Sequence, residues 1–335
     1  MDKLSEFIKV FELPPAMVPY LNLIVTEQEM DLVIGLSEHA MTIQEVAEMM
    51  QMTAEETAVI VENAVHRDIV KREKKEEKAI YLPSVFYAHL DFITAFETGT
   101  WMRIPHWTRE AVVKWQEQAF INLWLPAIER IVEDPDAWVK IKNRDILLLE
   151  ESIELIEAAD DICLLPCTCQ TVLYPDRPIV EGSIRLGGRV PPTLDKGQGR
   201  RLTKAEAKAH LIMLDRWGLV HTGLRDWRRH DPNLDWMSHG NCHPAYSVPF
   251  RAGMYLGLTK IYPKVHHVAR VDWGKCNRCG ICIGRCPFHA FYHDGTEIVL
   301  HGQRMRHIVL DLESCWGCGL CATTCPENAI EMSAL

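Results

Sequence analysis

The last sixty residues carry one cysteine run twice: Cys276-x-x-Cys279-x-x-Cys282-x-x-x-Cys286-Pro287, then Cys315-x-x-Cys318-x-x-Cys321-x-x-x-Cys325-Pro326, each cysteine recurring 39 positions later. Four thiolates at this spacing can wrap an iron-sulfur cube, because each of its irons takes one soft sulfur ligand. Zinc motifs normally split their ligands into two separated pairs with a longer loop between them. This run is not split in that way, so the spacing points to two 4Fe-4S clusters.

The doubled run resembles the bacterial two-cluster ferredoxins. In that family the fourth cysteine of each run crosses to the other cluster. The resemblance therefore implies one cube on Cys276, Cys279, Cys282 and Cys325, and another on Cys315, Cys318, Cys321 and Cys286. Crossed ligation would tie the halves together and bring the cubes close enough to exchange electrons. The stretches after each Cys-Pro pair, around Phe288 to Phe291 and Asn328 to Ile330, read as short helical turns. Glu297 to Leu300 and His307 to Leu310 read as a hairpin, with Asp294-Gly295 a turn before its first strand.

With 335 residues, 47% of them hydrophobic, the chain can bury a real core and divide into several domains. No apolar run approaches the ~18 residues of a membrane span. The start, Met1 to Glu6, lacks the basic and apolar regions of a signal peptide. Twelve cysteines in an unexported chain suggest metal sites rather than disulfides, and hence a cytoplasmic protein.

The formal charge of -10 hides a split. Residues 1–160 carry 15 Lys and Arg against 30 Asp and Glu, whereas residues 181–231 hold 11 basic and 6 acidic side chains, among them Arg185, Arg189, Arg200, Arg201, Arg225, Arg228 and Arg229. A basic stretch of this density suits an anionic partner surface or a phosphate-bearing cofactor; it equally fits a solvated face laced with ion pairs.

Residues 1–95 read as a winged-helix-like module. Thr42-x-x-Glu45 and Thr53-x-x-Glu56 are capping boxes that open two short helices, and Ile69 to Leu82 reads as a hairpin around a charged turn from Arg72 to Lys78. The second helix offers Glu55, Glu56 and Glu62, with no Lys or Arg before Arg67. Binding DNA requires neutralising phosphates, so the expectation is docking or dimerisation, with no nucleic acid; a redox-sensing regulator is the alternative. Residues 96–160 supply long helices, with Pro126 a candidate kink.

The middle segment, residues 161–265, holds the other four cysteines: Cys163, Cys167, Cys169 and Cys242. Between them Thr203 and Glu206 cap a helix that Gly218 stops, leading into Gly218-Leu219-Val220-His221. Four thiols are the number needed for a third cube. A zinc site using some of them with His243, or buried free cysteines, are the competing readings.

Pro166-Cys167-Thr168-Cys169, Gly218-Leu219-Val220-His221, Asn241-Cys242 and Val268-Ala269-Arg270-Val271-Asp272, together with the tail, resemble a family of anaerobe iron-sulfur proteins. Its members have a winged-helix-like N-terminal part and a two-cluster ferredoxin tail. They act as electron-transfer modules, alone or alongside flavin-dependent pyridine-nucleotide oxidoreductases. The chain departs from that pattern at Gln170, where the family has Arg, and at His243, where it has a second Cys; it also lacks a cysteine before the capped helix, for which Cys163 is the substitute. The resemblance implies a third cube on Cys163, Cys167, Cys169 and Cys242.

The expected fold is α+β: winged-helix-like module, helical segment, α/β middle with cysteine loops, and a dicluster ferredoxin domain from residue 266 to 335. The expected function is single-electron relay between a redox partner and an oxidoreductase complex, the chain being part of that complex or a homodimer. A reductase subunit with an open-site middle cluster is the other alternative. No phosphate-binding glycine loop and no paired acid, base or nucleophile calls for chemistry on an organic substrate.

Overall fold

The computed structural model describes residues 2–75, 78–133, 145–223, 237–260, 263–300 and 302–335. Trp138, Arg225, Arg228 and Arg229 lie outside them. The chain forms two compact units, one of residues 1–123, 166–181 and 193–198, the other of residues 124–165, 182–192 and 199–335. These units cut across the four consecutive segments expected from the sequence: the middle segment is shared between them.

In the first unit, helices Glu27–Gly35, Ile43–Met50 and Ala54–His66 precede an antiparallel hairpin of β1 (Val70–Lys75) and β2 (Lys78–Pro83). All three helices open on a full capping box, at Thr26/Glu29, Thr42/Glu45 and Thr53/Glu56. Each such cap is worth about 1 kcal/mol, because it satisfies backbone N–H groups the helix cannot. Gln51 ends the middle helix in the left-handed region, and Met41 bridges to Tyr81, adding a one-residue rung to the hairpin. Helices Lys3–Phe11, Phe86–Phe96, Thr98–Arg103 and the start of His106–Glu133 close the unit over Phe7, Phe11, Met17, Leu32, Phe86 and Trp101. The last helix runs to Glu133 with Pro126 inside it. The Trp101 indole donates to the Val172 carbonyl at 3.2 Å, which fixes the short helix Thr168–Leu173 to this core.

The second unit is built on a six-stranded antiparallel sheet ordered β3-β7-β8-β5-β4-β6, where β3 is Asp145–Leu147, β4 Ile162–Leu165, β5 Ser183–Leu186, β6 Arg200–Arg201, β7 Val220–Gly223 and β8 Met237–Cys242. Side chains alternate between faces. Leu147, Ile162, Leu164, Ile184 and Leu186 point to one face and are covered by helices Leu149–Ala158 and Lys204–Arg216, the latter opened by the expected Thr203/Glu206 box. Ile146, Val220 and Cys242 point to the other and pack on Phe250, Trp316 and Leu320.

The C-terminal part pairs β9 (His267–Val271) with β12 (Ile330–Ala334), and β10 (Phe291–Leu300) with β11 (Gln303–Leu310). The stretches after the Cys-Pro pairs lead into strands at Phe291 and Ile330 rather than helices; the short helices instead lie within the cysteine runs, at Ile281–Arg285 and Leu320–Thr323. Asp294-Gly295 is a bulge inside β10, not a turn before it. The Asp294 carboxylate accepts from the Thr296 amide at 3.0 Å and faces His307 at 2.8 Å across the hairpin, so the strand continues past the irregularity.

Candidate functional site

The two cysteine runs fold as copies. Residues in the left-handed region recur at matching places: Arg278 with Gly317, Gly280 with Gly319, His289 with Asn328. At Gly317 the conformation leaves no choice, since a Cβ there would lie 2.0 Å from the His267 carbonyl oxygen. The first copy has space at this point, and Arg278 lays its guanidinium over the Trp273 ring at 4.0 Å.

Between the copies lie two cavities. One, of about 380 Å³ including its open mouth, is lined by Cys276, Cys279, Cys282 and Cys325, with Trp273 and Ile281 in its wall. The other, of about 300 Å³, is lined by Cys286, Cys315, Cys318 and Cys321, with Phe288 and Trp316. Each cavity thus draws three thiols from one run and the fourth from the other. Among the described residues no three His, Cys, Asp or Glu side chains converge tightly enough to hold a single metal ion. Four thiols line each cavity, which is the donor set that a four-iron cluster takes.

The electrostatics agree. Burial pushes the Cys282 thiol up to about 11, reinforced by Cys276, Cys279 and, more weakly, Cys325. Burial pushes Cys318 up to about 12, with Cys286 and Cys315 adding to it, and raises Cys321 in the same way, with Cys318, Cys315 and Cys286 contributing. Cys282, Cys318 and Cys321 are thus poorly hydrated and have other thiols close by, so a positive charge such as that of bound iron would favour their thiolate form. Backbone amides are already aimed at the sulfurs. Ala290 N donates to Cys286 Sγ and Ala329 N to Cys325 Sγ, both at 3.3 Å and four residues on in each copy; Ala269 N donates to Cys315 Sγ at 3.5 Å.

The cavities differ in depth. Cys279 is exposed, as are Trp273 and Ile281 around it, whereas Cys315, Cys318 and Cys321 are buried. A ring stack forms part of the wall of the second cavity: Phe288 lies parallel to Trp316 at 4.9 Å, and Phe250 packs against both at 5.7 and 5.4 Å. Nothing in the sequence signals this stack beyond one aromatic residue inside a cysteine run and another just after one.

The middle cysteines are placed differently. Cys163 lies on β4 and Cys242 on β8, with β5 between them. Cys163 pairs with Arg185, which pairs with Ser238, four residues from Cys242. Two strand spacings and four residues of rise put the pair roughly 16 Å apart. That is too far for one cube, so the expected set of Cys163, Cys167, Cys169 and Cys242 does not assemble around these two. Cys163 is fully buried, with its thiol raised chiefly by burial, and the close approach of β6 is possible only because residue 199 is glycine: a Cβ there would be 2.6 Å from the Cys163 sulfur. It packs as a small hydrophobe. Cys242 lies 3.6 Å from the Thr222 hydroxyl and in the apolar cluster that contains Trp316 and Cys318. Cys167 and Cys169 belong to the first unit, at the start of helix Thr168–Leu173, with the Cys167 amide donating to the Val180 carbonyl at 2.8 Å. The His243 ring stacks on Tyr246 and its Nδ1 accepts from the Ala245 amide at 3.2 Å.

Within the basic stretch, Arg201 pairs with Asp161 at 2.5 Å, Lys208 with Glu157 and Lys196 with Asp68. These pairs favour the solvated-face reading over a phosphate site. Among the described residues no helix is long and apolar enough to cross a membrane.

No significant match was found among curated proteins or among solved structures. Residues 267–329, which bear all eight cavity cysteines, match the family model of the 4Fe-4S dicluster domain, so the C-terminal part of this chain is a ferredoxin-like iron-sulfur domain with an electron-transfer role.

Proposed function

We propose that the chain relays single electrons through two 4Fe-4S clusters, cluster I on Cys276, Cys279, Cys282 and Cys325 and cluster II on Cys286, Cys315, Cys318 and Cys321. The observation that carries this reading is the convergence of two thiol quartets, each with one member from the opposite run, on separate cavities. The clusters supply the one-electron chemistry; the protein supplies thiolates, amide donors to sulfur and a graded exposure to water. Cluster I, beside exposed Cys279, Trp273 and Ile281, is the port at which a protein partner delivers or collects electrons. Cluster II, behind the Phe288–Trp316 stack, is the interior station.

The helix-helix-hairpin order of the first unit supports a winged-helix-like module that docks onto another subunit, such as a flavin-dependent oxidoreductase, rather than DNA. Its second helix exposes Glu55 and Glu56, and Glu62 is tied to Arg72 at 2.7 Å. Phosphates would be repelled there.

Replacing Cys286 with Ser tests the relay. An oxygen ligand suits iron in a sulfur cube poorly, and this residue belongs to the first run. The paramagnetic signal of cluster II should be altered or lost while that of cluster I persists, and electron throughput to an acceptor protein should fall. Loss confined to cluster I would overturn the crossed assignment.

A further inference from the structure

The helices of the two cysteine runs meet a buried polar group that the relay does not use. Asp215, in the last turn of helix Lys204–Arg216, is 4% exposed. Thr323, the last residue of helix Leu320–Thr323, donates its hydroxyl to Asp215 Oδ2 at 3.0 Å. Arg285, the residue before Cys286, places Nη2 3.6 Å from the same oxygen and donates to the Asp215 and Arg216 carbonyls at the helix end. Both cluster-bearing helices therefore grip one carboxylate.

The other carboxylate oxygen, Oδ1, faces Nε2 of His221 at 3.6 Å, and His221 is fully buried. The opposite ring nitrogen fixes the proton inventory. Asn241 donates its amide nitrogen to the Gly182 carbonyl at 3.1 Å, so its Oδ1, 2.7 Å from His221 Nδ1, is an acceptor and Nδ1 must carry a hydrogen. Neutral His221 then turns a bare Nε2 lone pair towards a carboxylate. A proton on Nε2 converts that repulsion into a buried imidazolium–carboxylate pair.

We propose that His221 Nε2 and Asp215 Oδ1 form a proton-binding site coupled to cluster II, so that reduction of the cluster takes up a proton. The inference rests on the cluster II assignment above. Arg285 already balances Asp215, so with His221 neutral the group carries no net charge. Arg285 adjoins the ligand Cys286 and Thr323 stands two residues from the ligand Cys321, so an electron added to cluster II, supplied by a one-electron redox protein, would add negative charge near the group. A proton from water bound at Nε2 compensates it, and interior charges feel one another strongly. Among the described residues, the charged and titratable groups around it include exposed Arg216 on the same helix, His239 on β8 with its ring 5.6 Å from that of His221, and, on β3 at the neighbouring edge, Asp145, which has its own partner in His266 at 2.8 Å.

The test is potentiometric titration of the intact, cluster-loaded protein between about pH 6 and pH 9, followed by electron paramagnetic resonance. The cluster II signal is identified as the one altered by Cys318→Ser. Its potential should fall with rising pH across part of that range, with a limiting slope of 59 mV for each tenfold drop in proton concentration, the value for one proton per electron. Cluster I should respond less. The slope should disappear in Asp215→Asn and in His221→Gln, and dithionite reduction in weakly buffered solution should take up protons in the wild type only. A flat cluster II potential in the wild type, or a slope that survives in either variant, would overturn the proton site. Because burial of Asp215 can make its variant lose the clusters, the wild-type slope and His221→Gln suffice to decide. Absence of any 4Fe-4S signal would refute the relay reading instead.

Discussion

Trp316 and Phe288 lie face to face, 4.9 Å between ring centroids and 5° between planes, although one sits inside the second cysteine run and the other just after the first. The stack joins the two runs at the point where Cys286 crosses to the other quartet. It therefore does for packing what crossed ligation does for coordination.

Trp316→Ala should cost about 3–5 kcal/mol, the usual penalty for a large aromatic in a packed core, and should open cluster II to water. Chemical denaturation of the loaded protein reads the first effect. Faster bleaching of half of the cluster absorbance in air reads the second. Equal bleaching of both clusters would show that the stack is not the seal.

Iron content follows from the strand register. With Cys163 and Cys242 on strands separated by β5, anaerobically purified protein should hold about eight irons, two cubes of four. Cys242→Ala should leave that number unchanged. About twelve irons, falling by four in this variant, would mean that the middle cysteines do build a third cube.

The two αL positions make unequal demands. Gly317→Ala drives a Cβ into the His267 carbonyl oxygen, 2.0 Å away, so β9 or the ligand loop must move. The expected cost is about 2–4 kcal/mol, with poor loading of cluster II. Arg278→Gly at the matching place should keep both clusters, giving up only the contact with Trp273. Melting temperature and iron content of the two variants check the contrast.

The cysteine runs made the dicluster domain legible because coordination chemistry fixes ligand spacing tightly, and the capping boxes at Thr42, Thr53 and Thr203 marked helix starts because they satisfy local backbone groups. The bulge at Asp294-Gly295 looked like a turn, since the same residues serve both and only cross-strand pairing with His307 separates them. The middle cysteines misled for a related reason. Cys163 and Cys242 count as two of four thiols in the sequence, but strand order β8-β5-β4, a non-local property, parts them. The Asp215 group was invisible because its partners come from residues 221, 285 and 323, each unremarkable alone.

The raised thiols predict a pH dependence of the cluster-free chain. Cys282 and Cys318 are pushed from 9.0 to about 11 and about 12, in both cases first by burial. A group whose folded pKa lies above its unfolded value contributes stability that is whole below the unfolded value and is lost as pH climbs through the folded one. The iron-free protein should therefore be steady up to about pH 9 and weaken progressively from there towards about pH 12, as the unfolded thiols ionise and the buried ones resist. Urea midpoints across that range measure the loss. In the loaded protein the thiolates are already ionised on iron, so the same series should show a much smaller alkaline slope, and rebuilding the clusters at neutral pH should release protons into a weakly buffered solution. Identical alkaline slopes with and without iron would mean that the eight thiols are not the ligands.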